Sequence, residues 1–175
     1  LISALSRNIQ KGHLSLMKGE WRRNELIGNE LKNKTLGVVG LGKIGREVIK
    51  RALGHEMNIM GYDPYVNKQL FDLDKIDIVD LETLIRQSDY ITVHVPLIDS
   101  TRGMFDYETL SKMKSNARII NVARGGIINE SDLARILNED KIKGAAIDVF
   151  ENEPLAKDSP LIGANNVLLT PHLGA

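Results

Sequence analysis

Arg124, Glu153 and His172 are the three side chains whose types and placement could do chemistry together. Each comes shortly after an apolar run. The arginine follows Ile119-Ile-Asn-Val-Ala123, the glutamate follows Ala146-Ile-Asp-Val-Phe150, and the histidine follows Leu168-Leu-Thr-Pro171. Taken singly they read as a surface ion-pair partner, a loop residue before Pro154 and a structural histidine. Taken together they form a complete set for oxidising a secondary alcohol that carries a carboxylate. An imidazole with an unperturbed pKa of ~6.5 can take the hydroxyl proton as a hydride leaves. A neighbouring carboxylate would hold its tautomer and favour the imidazolium. A guanidinium would clamp the substrate carboxylate through a planar bidentate pair and stabilise charge on the carbonyl oxygen. The other histidines fit this work less well. His13 lies in the leading helix, and His55 closes a helix, where a cation suits the helix dipole. His94 stands at a strand end, placed to line a cofactor cleft, and is the weaker base.

A hydride needs an acceptor, and Gly40-Leu-Gly-Lys-Ile-Gly45 points to one. The string follows the apolar run Thr35–Val39 and opens a helical segment, as a dinucleotide fingerprint requires. Gly40 permits the tight turn, Gly42 lets backbone approach a pyrophosphate, and Gly45 lets helix and strand pack closely. The amides of Lys43 and Ile44 would face the phosphates at the positive end of the helix dipole. Asp63 ends the next apolar run at close to the ~20-residue offset of the acid that binds an adenosine ribose. A carboxylate accepts from ribose hydroxyls and repels a 2′-phosphate, so NAD is expected over NADP. An Asp-Pro turn cap at Asp63-Pro64 is compatible with that role. Asp148 ends another strand on the same edge. It could accept from the nicotinamide amide or cap the strand exit, and spacing alone does not choose.

The elements that must position these groups alternate. Apolar, β-branched runs predict strands over Thr35–Val39, Met57–Tyr62, Ile76–Val79, Tyr90–His94, Ala117–Asn121, Gly144–Asp148 and Val167–Leu169. Helical spacing predicts helices over Lys43–His55, Leu81–Gln87, Tyr107–Met113 and Glu130–Asn138, with Asp80, Asp106 and Asn129 as N-caps. Ile2, Leu5, Ile9, Leu14 and Met17 give a leading segment of roughly helical spacing, followed by a mixed polar connector through Lys34. The fold class expected is α/β, a doubly wound parallel sheet of the Rossmann type, with ligands at the carboxyl ends of the strands.

The 175 residues suit one domain with a sizeable core, and 23 basic residues against 23 acidic give no overall electrostatic case for nucleic acid or a membrane surface. There is no cysteine, which excludes a disulfide framework and thiolate metal sites, and no metal site is expected. No apolar run reaches the ~18 residues of a spanning helix, so a cytoplasmic protein is expected. The sequence opens on Leu1 and stops at His172-Leu-Gly-Ala175, and is expected to be part of a longer protein.

Five blocks carry a resemblance along essentially the whole chain: Gly40-Leu-Gly-Lys-Ile-Gly45, His94-Val-Pro-Leu97, Asn121-Val-Ala-Arg-Gly-Gly126, Asp148-Val-Phe-Glu-Asn-Glu-Pro154 and Pro171-His-Leu-Gly-Ala175. They resemble the D-isomer-specific 2-hydroxyacid dehydrogenases. The resemblance implies that Arg124 binds substrate, Glu153 supports the histidine and His172 is the acid/base. It also implies NAD contacts from Lys43, Ile44, Asp63, His94, Val95, Pro96, the turn Val122-Ala123-Arg124, Asp148, His172, Gly174 and Ala175. The formate dehydrogenase branch carries glutamine where Glu153 stands, and is disfavoured. Gly19-Glu-Trp21, Gly61-Tyr-Asp-Pro64, Ile91-Thr-Val-His-Val-Pro96 and Ser100-Thr-Arg-Gly103 look most like the 3-phosphoglycerate dehydrogenase branch, although glyoxylate/hydroxypyruvate reductases and D-lactate dehydrogenases share much of the pattern.

The resemblance implies a small 2-hydroxy or 2-oxo acid as substrate and a homodimer formed through residues 1–34, the interdomain helix and connector. Residues 35–175 then form the NAD-binding domain. The second, substrate-binding domain of such enzymes has no counterpart here, so the fragment is expected to bind NAD but to turn over poorly. A rival from another class is a nucleotide-sensing corepressor that keeps this fold while working through partners. Another is a bare cofactor module, against which the joint presence of Arg124, Glu153 and His172 argues.

Overall fold

The computed structural model describes residues 1–66, 69, 71 and 75–174. Seven strands form one sheet: β1 (Thr35–Val39), β2 (Asn58–Tyr62), β3 (Ile76–Ile78), β4 (Tyr90–Val93), β5 (Arg118–Asn121), β6 (Gly144–Ile147) and β7 (Val167–Leu169). Their order is β3-β2-β1-β4-β5-β6-β7, and every pairing is parallel. The order reverses between β1 and β4, the switch point where a doubly wound sheet opens a crevice.

Period-two alternation divides the strands between two cores. Leu36, Val38, Tyr90, Ile120 and Ala146 face one side, where Ile49 and Ala52 of α3 (Lys43–Gly54) join them, with Ile2 and Leu5 of α1 (Ile2–Ser6) packed against them. Val39, Ile91, Val93, Ile119 and Ile147 face the other side, against α4 (Leu81–Gln87), α5 (Tyr107–Ser111) and α6 (Glu130–Asn138). The predicted caps hold: Asp80, Asp106 and Asn129 accept from the amides of Thr83, Thr109 and Asp132 at 2.8, 2.8 and 2.9 Å.

The predicted elements from Thr35 onward all form, with ends differing by no more than two residues. The leading segment differs from one helical span. It breaks into α1 and α2 (Ile9–Met17) at Asn8, whose φ is 52°. Asparagine tolerates that left-handed conformation, and its side-chain amide donates to the carbonyls of Leu26 and Ile27 in the connector. The chain therefore turns back over itself. Ser6 Oγ donates to the buried Tyr90 hydroxyl at 2.8 Å, which seats α1 on the sheet.

Candidate active site and cofactor cleft

Strand register brings the candidate groups together. Tyr62, Val39, Val93, Asn121, Ile147 and Leu169 are successive register partners across β2, β1, β4, β5, β6 and β7. The residues that follow them, Asp63, Gly40, His94, Val122, Asp148 and Thr170, therefore leave the sheet side by side along its carboxyl edge. Positions more than a hundred residues apart in sequence share one rim.

At the switch point the chain turns through Gly40, whose φ is 98°. A Cβ on Gly45 would stand 2.1 Å from the Gly40 carbonyl oxygen, so α3 packs against the loop only because that position is glycine. A Cβ on Gly42, by contrast, would meet nothing within 4 Å, which leaves open space over the loop. The helices α4, α5 and α6 each have a side-chain cap, whereas α3, with Gly42 at its N-cap, has none. The first-turn amides of Lys43 and Ile44 thus face that space, and Ile44 is 64% exposed beside it. Asp63 Oδ2 accepts from the Leu41 amide and Oδ1 from the Tyr65 amide, both at 2.9 Å. One carboxylate thereby fixes the glycine loop and keeps further lone pairs for ribose hydroxyls. These features fit a dinucleotide whose pyrophosphate lies on the loop.

On the other side of the switch point, Val95 is half-buried and Pro96 exposed at the rim. Burial pushes the His94 imidazole down to about 4, and its Nε2 lies 2.9 Å from the Thr92 hydroxyl. A histidine kept neutral in this way lines the cleft but is a poor proton carrier at neutral pH.

The candidate trio of Arg124, Glu153 and His172 lies farther along the rim. His172 Nδ1 lies 2.7 Å from Glu153 Oε2, while Glu153 Oε1 accepts from the Phe150 amide at 3.0 Å. The bond from His172, and then that from Phe150, holds the Glu153 carboxyl below its usual range. An ionised carboxylate only accepts, so the neutral imidazole carries its proton on Nδ1 and leaves Nε2 with a lone pair. Arg124 is exposed, and its Nη1 donates to the Ala123 carbonyl at 2.6 Å. Among the described residues it pairs with no carboxylate, so its guanidinium fork remains available to an acid. A Cβ on Gly125 would lie 1.9 Å from the Phe150 carbonyl oxygen, so the Arg124 turn and the turn leading to Glu153 are in backbone contact.

Three supporting residues were not singled out from sequence. Asn121 is 2% exposed and accepts from the Ala123 amide at 3.0 Å while donating to the Arg124 carbonyl at 2.9 Å. It therefore shapes the Val122-Ala123-Arg124 turn. Thr170 donates to Asp148, which also accepts from the amides of Leu173 and Gly174 at 2.8 and 2.7 Å. Asp148 thus braces the turn that follows β7 rather than capping the exit of its own strand. Burial alone would raise the Asp148 carboxyl, but the bonds from Thr170, Leu173 and Gly174 outweigh it and hold the group low. Gly125 is the third. The sequence signals were a polar residue closing a buried strand and a glycine beside a charged one. Ala175 lies outside the described residues. Among those described, no group of acidic or histidine side chains could hold a metal, and no helix is long and apolar enough to cross a membrane.

Comparison with known proteins places the sequence and the fold. The D-3-phosphoglycerate dehydrogenase of Methanocaldococcus jannaschii is 49% identical over the whole chain, which covers 33% of that protein. The hydroxypyruvate reductase of Thermotoga maritima is 44% identical over the whole chain, which covers 57% of it. An NAD-dependent formate dehydrogenase from Staphylococcus aureus, solved with NAD, superposes with a TM-score of 0.90 at 32% identity, over 98% of this chain and 51% of the other. The chain spans a third of the length of the phosphoglycerate dehydrogenases it matches. The family model described as D-isomer specific 2-hydroxyacid dehydrogenase, NAD binding domain, matches residues 1–174, and the chain belongs to that family.

Proposed function

We propose that this domain serves an NAD-dependent oxidoreductase that interconverts a D-2-hydroxy acid and its 2-oxo acid, with 3-phosphoglycerate and 3-phosphohydroxypyruvate as the pair. The observation that carries the reading is the 2.7 Å contact between His172 Nδ1 and Glu153 Oε2 on the rim that also holds Arg124. Names of relatives such as the M. jannaschii protein support the substrate. The T. maritima relative supports a second reading, hydroxypyruvate or glyoxylate reduction.

NAD, held by the Gly40–Gly45 loop and Asp63, supplies the hydride acceptor. His172 Nε2 takes the hydroxyl proton during oxidation and returns it to the carbonyl oxygen during reduction. Glu153 fixes the ring orientation and stabilises the imidazolium that forms. Arg124 holds the substrate carboxylate and offsets charge on the reacting oxygen. His94 and Asp148 line the cofactor side without moving protons.

Residues 1–34 are assigned to the crossing and dimer-forming segment and 35–175 to the cofactor domain proper. Ile9, Leu14, Leu16, Met17, Trp21 and Ile27 are exposed apolar side chains along that leading segment, which supports a homodimer. The deciding experiment assays the full-length protein with NAD against 3-phosphoglycerate, glycerate and D-lactate, and in reverse against their oxo acids. A preference for glycerate over its phosphate ester would favour the second reading, and no turnover of any hydroxy acid or oxo acid in either direction would overturn both.

A further inference from the structure

A second cluster of charge lies at the opposite edge of the sheet, where strands begin. Arg118 opens β5, Lys143 precedes β6, Asn166 precedes β7, and Lys11 extends from α2. Together they line a cavity of about 330 Å³. Arg118 is only 6% exposed. Its Nη1 makes two long contacts of 3.4 Å, to the Tyr90 hydroxyl and the Asn116 carbonyl, and its guanidinium stands 5.4 Å from the Tyr90 ring. Lys11 Nζ donates to Asn166 Oδ1. Among the described residues none of these three cations has a carboxylate within ion-pair distance. The carboxylate on the cavity wall, Glu25, is gripped by Arg22 at 3.0 and 2.6 Å.

This arrangement costs free energy unless something offsets it. A buried guanidinium without a counter-charge loses hydration that neutral contacts replace only in part. The cations also act on one another: burial first, then Lys143, Arg22 and Arg118, lower the Lys11 ammonium. The chain carries as many acidic as basic residues, so acid groups to neutralise the cluster were not lacking.

We propose that this cavity is a binding site for a small oxyanion of the phosphate or carboxylate class. Arg118 offers it a planar fork, and Lys11 and Lys143 offer point charges. Lys11 belongs to the leading segment while Arg118 and Lys143 belong to the sheet. A bound anion therefore ties α2 to the starting edge of the sheet, and its binding adds to stability by mass action.

The test titrates inorganic phosphate, glycerol 2-phosphate and citrate into the full-length protein, saturated with NAD and at constant ionic strength, by calorimetry and thermal melting. Saturable binding with a rising Tm is expected, and the anion that binds tightest distinguishes free phosphate, phosphate ester and polycarboxylate. Lys143→Gln and Arg118→Gln should each weaken it at least ~10-fold, the scale of one lost charge-assisted bond. Lys112→Gln, a surface control, should not. Lys143 is exposed, so its variant keeps the test valid if loss of Arg118 disturbs folding. Absence of saturable binding, or equal weakening by Lys112→Gln, would overturn the proposal. So would variants that leave phosphate binding intact but dissociate a dimer, because a carboxylate of a second copy would then be the occupant.

Discussion

Gly125 and Phe150 stand so close that a Cβ on the glycine would lie 1.9 Å from the Phe150 carbonyl oxygen and 2.0 Å from its carbon. This contact joins the turn bearing Arg124 to the turn leading to Glu153. Gly125 does not have a positive φ, so closeness alone demands glycine. Gly125→Ala must push the two turns apart. The expected outcome is a loss of ~1–3 kcal/mol in stability, typical of overpacking. A fall in kcat of at least ~100-fold should accompany it, because positioning errors near 1 Å have that effect. NAD affinity should change less, since the glycine loop lies elsewhere on the rim. Melting curves, single-turnover rates and NAD titration separate these effects, and normal turnover would show that the contact does not set the catalytic geometry.

His172→Ala should lower kcat by at least ~100-fold, the usual scale of a lost acid/base. It should also release Glu153. The bond from His172 is the first cause of the low Glu153 carboxyl, so its titration, followed by NMR, should rise toward the ordinary carboxylate range in the variant. Glu153→Gln keeps the shape of the contact but loses its charge, and should reduce kcat while leaving NAD affinity unchanged. A Glu153 titration indifferent to His172→Ala would dissolve the pair as a functional unit.

Arg124→Lys retains the charge but not the bidentate fork. Catalytic efficiency toward the 2-hydroxy acid should fall well before NAD affinity does. Steady-state kinetics beside NAD titration checks this. The reverse pattern would make Arg124 a cofactor residue.

Much of this site was legible because two periodicities are local. The alternation of β1, β4 and β5 and the capped starts of α4, α5 and α6 can be read from a few neighbouring residues. Arg124, Glu153 and His172 stood out because each follows a strand-forming run. The register that places Asp63, Gly40, His94, Val122, Asp148 and Thr170 in one row depends on strand order, which no local window contains. Asn121 and Thr170 act through hydrogen bonds that exist only after folding. The break at Asn8 was hidden because apolar spacing continues through it, while the competing bonds to Leu26 and Ile27 come from a distant connector. Lys11, Arg118 and Lys143 are likewise scattered in a sequence whose charges cancel.

The contact of Asp63 with Leu41 braces the glycine loop. The role in dinucleotide choice proposed for its charge can be separated from that contact. NAD should bind more tightly than NADP. Asp63→Asn, whose one acceptor oxygen can keep the Leu41 bond at the cost of the Tyr65 bond, should narrow that preference while leaving the glycine loop braced. Asp63→Ala should weaken both nucleotides. Titration of each variant with both dinucleotides is the check, and tighter binding of NADP by the unaltered protein would remove Asp63 from the role.

His94 gives stability a pH dependence whose sign is fixed. Burial holds the folded imidazole at about 4, whereas an exposed histidine in the unfolded chain titrates near ~6.5. As pH falls below ~6.5 the unfolded state takes up the proton first, so this contribution is complete above ~6.5 and is lost down to about 4. Asp148 and Glu153 behave otherwise. Their carboxyls are held low, so their contributions persist above the ordinary carboxylate range and are lost only in stronger acid. The two windows therefore scarcely overlap. Urea midpoints measured between pH 7 and pH 4.5 should fall more steeply for the unaltered protein than for His94→Gln, which keeps a partner for the Thr92 hydroxyl but cannot titrate. Parallel curves would mean that some other group takes up the proton. A steeper fall confined to the unaltered protein would establish that the imidazole beside the cleft is neutral under working conditions, leaving His172 as the histidine free to move a proton.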